Sequence, residues 1–309
     1  MRCKLAIIFN CTLCTVLGLY SPAHAQESKP PEPTAEQLRE AVAAIKKAGA
    51  TYKHWEEPWA KERLHRIVMP LTTTDKDLKK VPNLPFSFCV DLRYSRVTND
   101  GLKELKELQN LTALYIGSWR LTDAALQELT GLRNLTILSI GEEMRLTNAG
   151  LMELKNLKKL TMLELYGAKL TLEEIKELKE CRNLTGLSLE GSRISDECVN
   201  EVKEFKGLTG LYLGGTRVND ASLKELKDLK KLTRLSLYST QVSDAGLAEL
   251  KSLIHLTDLY LGGTRVTDAG IKELKEMKNL KELWLENTKV TEAGVKELKQ
   301  ALPDCQINR

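Results

Sequence analysis

Aromatic residues are scarce in this chain: phenylalanine, tryptophan and tyrosine make up 5% of its 309 residues, too few for a core built on large rings. Histidine is scarcer still. Its four copies (His24, His54, His65 and His255) share no metal-ligand spacing, so neither a metal site nor a cofactor is expected. An excess of one charge is missing too. The 46 basic and 42 acidic side chains leave +4, far from the strongly basic footprint of a nucleic-acid binder. Beyond the amino terminus there is no long apolar run. The one from Leu5 to Leu19 contains Asn10 and, at about 15 residues, falls short of the roughly 20 that cross a bilayer.

That run follows Arg2 and Lys4 and precedes Ala23-His24-Ala25, the layout of a secretory leader cleaved after Ala25. The protein is therefore expected to be exported, to a periplasmic or extracellular location, with no membrane span once residues 1–25 are gone. Cleavage removes two cations and no acid, so +4 becomes +2, and it takes Cys3, Cys11 and Cys14 with it. Cys89, Cys181, Cys198 and Cys305 remain. In an exported chain four cysteines can mean two disulfides, but their registers in the repeat described next separate them by more than the roughly 7 Å between Cα atoms that a bridge allows. Free, buried thiols are expected.

What the chain has in abundance is one sentence repeated. Leu256 to Asn279 reads LTDLYLGGTRVTDAGIKELKEMKN, and the same 24-residue unit begins again at Leu280. It runs back through Leu232, Leu208, Leu184, Leu160, Leu135, Leu111 and a weaker copy at Ser87, nine copies in all over residues 87–303. The copy at Leu135 is lengthened by Gly141-Glu142-Glu143-Met144. Self-similarity at this period marks a solenoid, and its L-x-x-L-x-L core is that of a leucine-rich repeat. Numbering each copy from its first leucine, positions 4 and 6 alternate with 3, 5 and 7, as in a strand with leucines inward. Thr or Ser at position 12, Asp at 13 and Gly at 15 open a helix whose positions 16, 19 and 22 are apolar. Stacked units give a parallel sheet on the concave face and helices on the convex face. At about 4.8 Å per strand, nine strands span about 40 Å.

The flanks differ. Residues 26–34 are polar and proline-rich, a tether. Residues 35–86 form an amino-terminal cap: Thr34 is a helix N-cap, Lys47 ends the helix, and Leu78, Val81 and Leu84 echo the repeat as a degenerate tenth turn. Trp55 and Trp59 read as cap packing. Residues 304–309 close the other end, with Cys305 and Ile307 over the last repeat.

The T-D-A-G-L-K-E-L-K units, the AVAAIKKAG helix before them and the LPDCQI ending resemble exported bacterial leucine-rich repeat proteins of planctomycete-like bacteria, within the ribonuclease-inhibitor-like superfamily. The resemblance spans about residues 35 to 309. It implies an α/β solenoid and protein binding, and it carries no catalytic residues to transfer.

Two columns are candidate surfaces. Positions 5 and 7 collect Tyr115, Tyr166, Tyr212, Tyr238, Tyr260 and Trp284, six of the twelve tyrosines and tryptophans in the chain. Aromatics with polar tips anchor interfaces, but they also suit strands whatever the strands bind. The paired glycines Gly214-Gly215 and Gly262-Gly263 are expected to leave room beside Tyr212 and Tyr260. Position 10 collects Arg96, Arg120, Arg145, Lys169, Arg193, Arg217, Arg265 and Lys289. These cations either attract an acidic partner or pair with the acid three residues on. The leading functional expectation is a non-enzymatic exported scaffold that binds a protein through the concave face. The alternative is a binder of envelope or extracellular polysaccharide, with sugars stacked on the aromatics and held by the basic column. An enzyme needs a nucleophile with its base, or a metal cluster, and the columns supply neither. Mass spectrometry of the mature protein is expected to find Gln26 at the amino terminus, and a chain beginning at Met1 would overturn the export reading.

Overall fold

The computed structural model describes residues 32–55, 64–144 and 146–309. The expected leader, most of the tether, Trp59 and Arg145 lie outside the described residues. The sheet has 12 strands in chain order: β1 (Thr51–Trp55), β2 (Leu64–Val68), β3 (Phe88–Asp91), β4 (Leu111–Ile116), β5 (Ile137–Ile140), β6 (Met162–Leu165), β7 (Gly186–Ser188), β8 (Gly210–Tyr212), β9 (Arg234–Ser236), β10 (Asp258–Tyr260), β11 (Glu282–Trp284) and β12 (Gln306–Asn308). β1 and β2 are antiparallel, and every later neighbour is parallel. Register follows the sequence period, so Leu259 sits opposite Leu235 and Leu283. At β3 the extra residue before Ala113 makes a bulge.

The leucines of positions 4 and 6 are fully buried, and they meet positions 16, 19 and 22 of the helical segment, for instance Ile271, Leu274 and Met277. That segment is not a uniform α-helix. In the copy at Leu256 one α-turn, Asp268–Ile271, passes into a 3₁₀ segment, Lys272–Glu276. Apolar side chains spaced by three residues fit a helix of three residues per turn. Where position 15 is Ala125, Glu174 or Cys198 in place of glycine, the α-helix instead runs seven residues: Asp123–Leu129, Leu172–Leu178 and Asp196–Val202. Position 15 does not decide this alone, since Ser222 stands in a four-residue α-turn, Asp220–Leu223, and Gly294 in a ten-residue α-helix, Glu292–Ala301.

Polar ladders lock one copy to the next. Position-2 threonines donate to the preceding threonine's carbonyl, as Thr233 does to Thr209 and Thr257 to Thr233, both at 3.0 Å. Position-24 asparagines reach back similarly, Asn279 Nδ2 to the Ile254 carbonyl at 2.7 Å. The tightest link uses position 13. Asp123 Oδ1 accepts from the Thr147 amide at 2.9 Å and Oδ2 from its hydroxyl at 2.5 Å. Asp75, Asp220, Asp244 and Asp268 hold Thr98, Ser243, Thr267 and Thr291 in the same two-pronged way. The glycine at position 15 now has a reason: a Cβ on Gly150 would lie 2.2 Å from Asp123 Oδ1, and one on Gly270 2.3 Å from Asp244 Oδ1. The link lapses at Asn148 and at Leu172, which stand where an aspartate would hold Thr171 and Ser195. Those two residues cap their own helices instead, Thr171 and Glu174 exchanging hydrogen bonds and Ser195 Oγ accepting from the Cys198 amide at 3.4 Å.

At the amino-terminal end Thr34 caps the helix Ala35–Lys47 through Gln37, and Gly49 leaves it at φ +78°. β2 with the short helix Asp75–Leu78 is a further, degenerate turn of the solenoid, and its Asp75 starts the aspartate ladder. At the carboxy-terminal end Ile307 does more than cover the last repeat: it pairs opposite Leu283 as part of β12, one more strand in the same register. All four described cysteines are free and buried, and burial raises the Cys89 thiol to about 12.

Asp123→Ala removes two inter-repeat hydrogen bonds and is expected to cost about 1–3 kcal/mol. Gly150→Ala alone should cost as much, by overpacking against the carboxylate. Combined, the two are expected to cost far less than their sum, because without the carboxylate the nearest remaining atom, the residue-123 Cβ, lies 3.0 Å from the new methyl. Denaturant unfolding of the four proteins measures the coupling, and strict additivity would refute it.

Candidate functional site: the concave face and its loop edge

Positions 3, 5 and 7 of successive strands tile the concave face, and the structure divides the six expected aromatics among different settings. Tyr115, Tyr212 and Tyr260 are buried, Tyr212 to 1% exposure. Tyr238 and Trp284 are half-buried and Tyr166 is exposed. Truncating any of the buried three would leave a cavity in this packing. The expected free space beside the glycines is also occupied. A Cβ on Gly262 would meet the Tyr238 ring at 3.0 Å, and one on Gly214 would meet the Glu190 carboxylate at 2.8 Å. Glycine at position 7 thus accommodates the previous repeat's side chain. Gly210 does the same at position 3 for Tyr212 of its own strand, whose hydroxyl lies 3.1 Å from where a Cβ would be.

Two clusters result. Toward the carboxy terminus Tyr260 and Trp284, directly paired on β10 and β11, stack with ring centroids 5.9 Å apart and planes at 16°. The Tyr238 ring, from the preceding repeat, lies over Gly262, two residues beyond Tyr260. Arg234 and Asp258, at position 3 of neighbouring strands, form an ion pair at 3.5 Å. Toward the amino terminus Arg66 and Arg93 both pair with Asp91 and both lie over the Tyr115 ring, at 4.8 and 5.4 Å from its centroid. Burial opposes ionisation of Asp91, but the hydrogen bond and charge of Arg93, joined by Arg66, hold its carboxyl below the ordinary range.

Between the clusters stand Glu164 and Glu190, which the sequence places in the position-5 and position-7 columns without distinguishing them from surface acids. Burial raises both carboxyls to about 7, Glu164 further through the neighbouring Glu190 charge. Ser236 Oγ donates to Glu190 Oε1 at 3.1 Å. Nothing in one sequence signals this, because the burial arises from neighbours 24 and more residues away.

The basic column lies apart, on the loop edge where strands turn toward helices. Arg96, Arg120, Lys169, Arg193, Arg217, Arg265 and Lys289 are all exposed. Pairing with the acid three residues on does not occur: Asp123, Asp220 and Asp268 face the next repeat's Thr147, Ser243 and Thr291. Asp196 accepts from Ser222 at 2.7 Å. Beside Arg120, whose guanidinium is 4.8 Å from its ring centroid, Trp119 is 75% exposed. Among the described residues there is no group of three side chains suited to a metal ion, and no helix long and apolar enough to cross a membrane.

The raised carboxyls set a pH dependence. An unfolded glutamate has a pKa of about 4.3, so between that value and about 7 the folded protein keeps protons that the unfolded chain releases. The stability from this pair is full below the unfolded value and is lost as pH rises through the folded one. Relative to a Glu164→Gln, Glu190→Gln double variant, the wild type is expected to lose melting temperature between about pH 5 and 8. Parallel curves for the two proteins would show that neither carboxyl is raised.

Residues 252–275 match the family model described as Leucine Rich repeat. Among solved structures, an internalin from Listeria monocytogenes is similar at 16% identity, with a TM-score of 0.47, over 88% of this chain and 94% of that one. No curated protein matches the sequence. The recurrence of strand, turn and helix in parallel register at the sequence period, with the matched repeat inside it, makes the fold an α/β leucine-rich repeat solenoid.

Proposed function

We propose that the chain is an exported, non-enzymatic module that binds another protein through its concave face. A leucine-rich repeat array suits that role, presenting a long, rigid, continuous surface built from short units. The observation that carries the reading is the stacked Tyr260–Trp284 pair on β10 and β11, with the Tyr238 ring over nearby Gly262. Tyrosine and tryptophan held by packing lose little freedom on binding, and such rings dominate interface energetics. Trp284 and Tyr238 remain half-buried and are the two members with surface left to offer, whereas Tyr260 serves as the base of the stack. Several concave polar groups are committed to one another: Glu190 to Ser236, Asp91 to two arginines, Asp258 to Arg234.

The leader motif makes envelope and extracellular proteins the pool to search. Proteins captured from such an extract by the immobilised chain would be purified and titrated against the wild type, Tyr238→Ala and Trp284→Ala. Each truncation is expected to weaken binding by about 2 kcal/mol or more, with the melting temperature nearly unchanged. Undiminished binding by both variants would move the protein-binding surface elsewhere.

A further inference from the structure

We infer that the loop edge of the solenoid is a binding site for a linear acidic polysaccharide carrying one carboxylate per sugar. It is separate from the concave platform and does not rest on the protein-binding reading. The first observation is a column of exposed cations, broken by Gln241 in the copy at Leu232, with which no acid among the described residues pairs. Among the described residues, Arg120, Lys169, Arg193, Arg217, Arg265 and Lys289 enter no salt bridge, and the aspartates three residues on are held by the next repeat. Neighbouring cations sit well inside the roughly 10 Å screening length at 0.1 M salt, so they repel one another. A bound polyanion relieves that repulsion.

The second observation is the spacing. The backbone carrying the column is hydrogen-bonded from repeat to repeat. The Arg265 amide donates to the Val242 carbonyl at 2.9 Å, the Lys289 amide to Val266 at 3.0 Å, and the Gln241 amide to Val218 at 2.9 Å. The last step extends the parallel bridging, with Lys289 opposite Thr267. From Arg217 to Lys289 the column is therefore fixed at the ladder spacing of about 4.8 Å, and three steps cover about 14 Å. An extended acidic peptide presents side chains on one face only every 6.6–6.8 Å or so, and it drifts out of register within two repeats. A polyuronate advances about one ring per repeat, so its rings keep step with the column and the carboxylates that face it recur at whole multiples of the repeat spacing.

The third observation is Trp119, with 75% of its surface exposed and the Arg120 guanidinium over its ring. An open indole face beside a cation suits a sugar, whose apolar ring face stacks while its carboxylate meets the guanidinium.

The test is titration of the full chain with polygalacturonate fragments of about ten units, long enough to cover the column at one ring per repeat. Dextran, poly-glutamate and single-stranded DNA serve as comparison probes. Binding to polygalacturonate is expected, weakened about tenfold or more on raising salt to about 0.5 M. The triple variant Arg193→Gln, Arg217→Gln, Arg265→Gln should lose about tenfold or more in affinity at unchanged melting temperature, since each side chain is exposed and exposed ion pairs contribute little to folding. Trp119→Ala should weaken binding several-fold, and Trp284→Ala should leave it unaltered, which separates this site from the concave one. The inference is overturned if polygalacturonate does not bind, if the triple variant binds it as the wild type does, or if poly-glutamate or DNA binds as tightly.

Discussion

The whole array hangs on a carboxylate shared between neighbouring repeats. An aspartate at the start of one helical turn accepts two hydrogen bonds from the threonine or serine that opens the next, and a glycine three residues beyond that hydroxyl makes the approach possible. The three residue types are thus one device. The aspartate satisfies amides that a short helix would leave unpaired, and it fixes the height of the neighbouring turn. Where it is missing, at Asn148 and Leu172, the next repeat's Thr171 and Ser195 cap their own helices, and those helices run as α for seven residues. The lapse begins in the copy at Leu135, which is one residue longer than the others.

Because that link holds the helical side in step, the strand side is forced into register, and its side chains must share space. The concave face shows the consequence. Large side chains sit beside glycines of adjacent positions: Tyr212 against Gly210, Tyr238 against Gly262, Glu190 against Gly214. Packing so close buries groups that a lone strand would leave wet. Two carboxyls are pushed up to about 7, and Asp91 stays ionised only because two guanidiniums attend it. Charge is handled differently on each side. Convex lysines reach acids of the next repeat, as Lys106 reaches Glu128 and Lys275 reaches Glu297, both at 2.7 Å. The cations on the loop edge have no such counterparts.

The repeat, its strand and its buried leucines were legible because periodicity reports which face of a short element meets the core, and that depends only on nearby residues. Position 15 was legible as a glycine column, but the atom it makes room for belongs to another repeat. The same limit applies to the aromatic column. Alternation correctly put Tyr115, Tyr212 and Tyr260 on the concave face, yet it could not distinguish a free ring from a packed one. It also treated Glu164 and Glu190 as ordinary members of their columns. Pairing of the position-10 cations with the acids three residues on looked sound along the chain and failed in space, since those acids were already engaged across the repeat boundary.

By itself, then, the sequence determined the period, the inward leucines, the turn chemistry and the order of strands, all of which follow from local geometry repeated without interruption. Only the tertiary structure decided which polar groups are paired, which rings are covered and which cations remain exposed. Those outcomes depend on contacts between residues about one repeat apart, and such contacts exist only once the units are stacked.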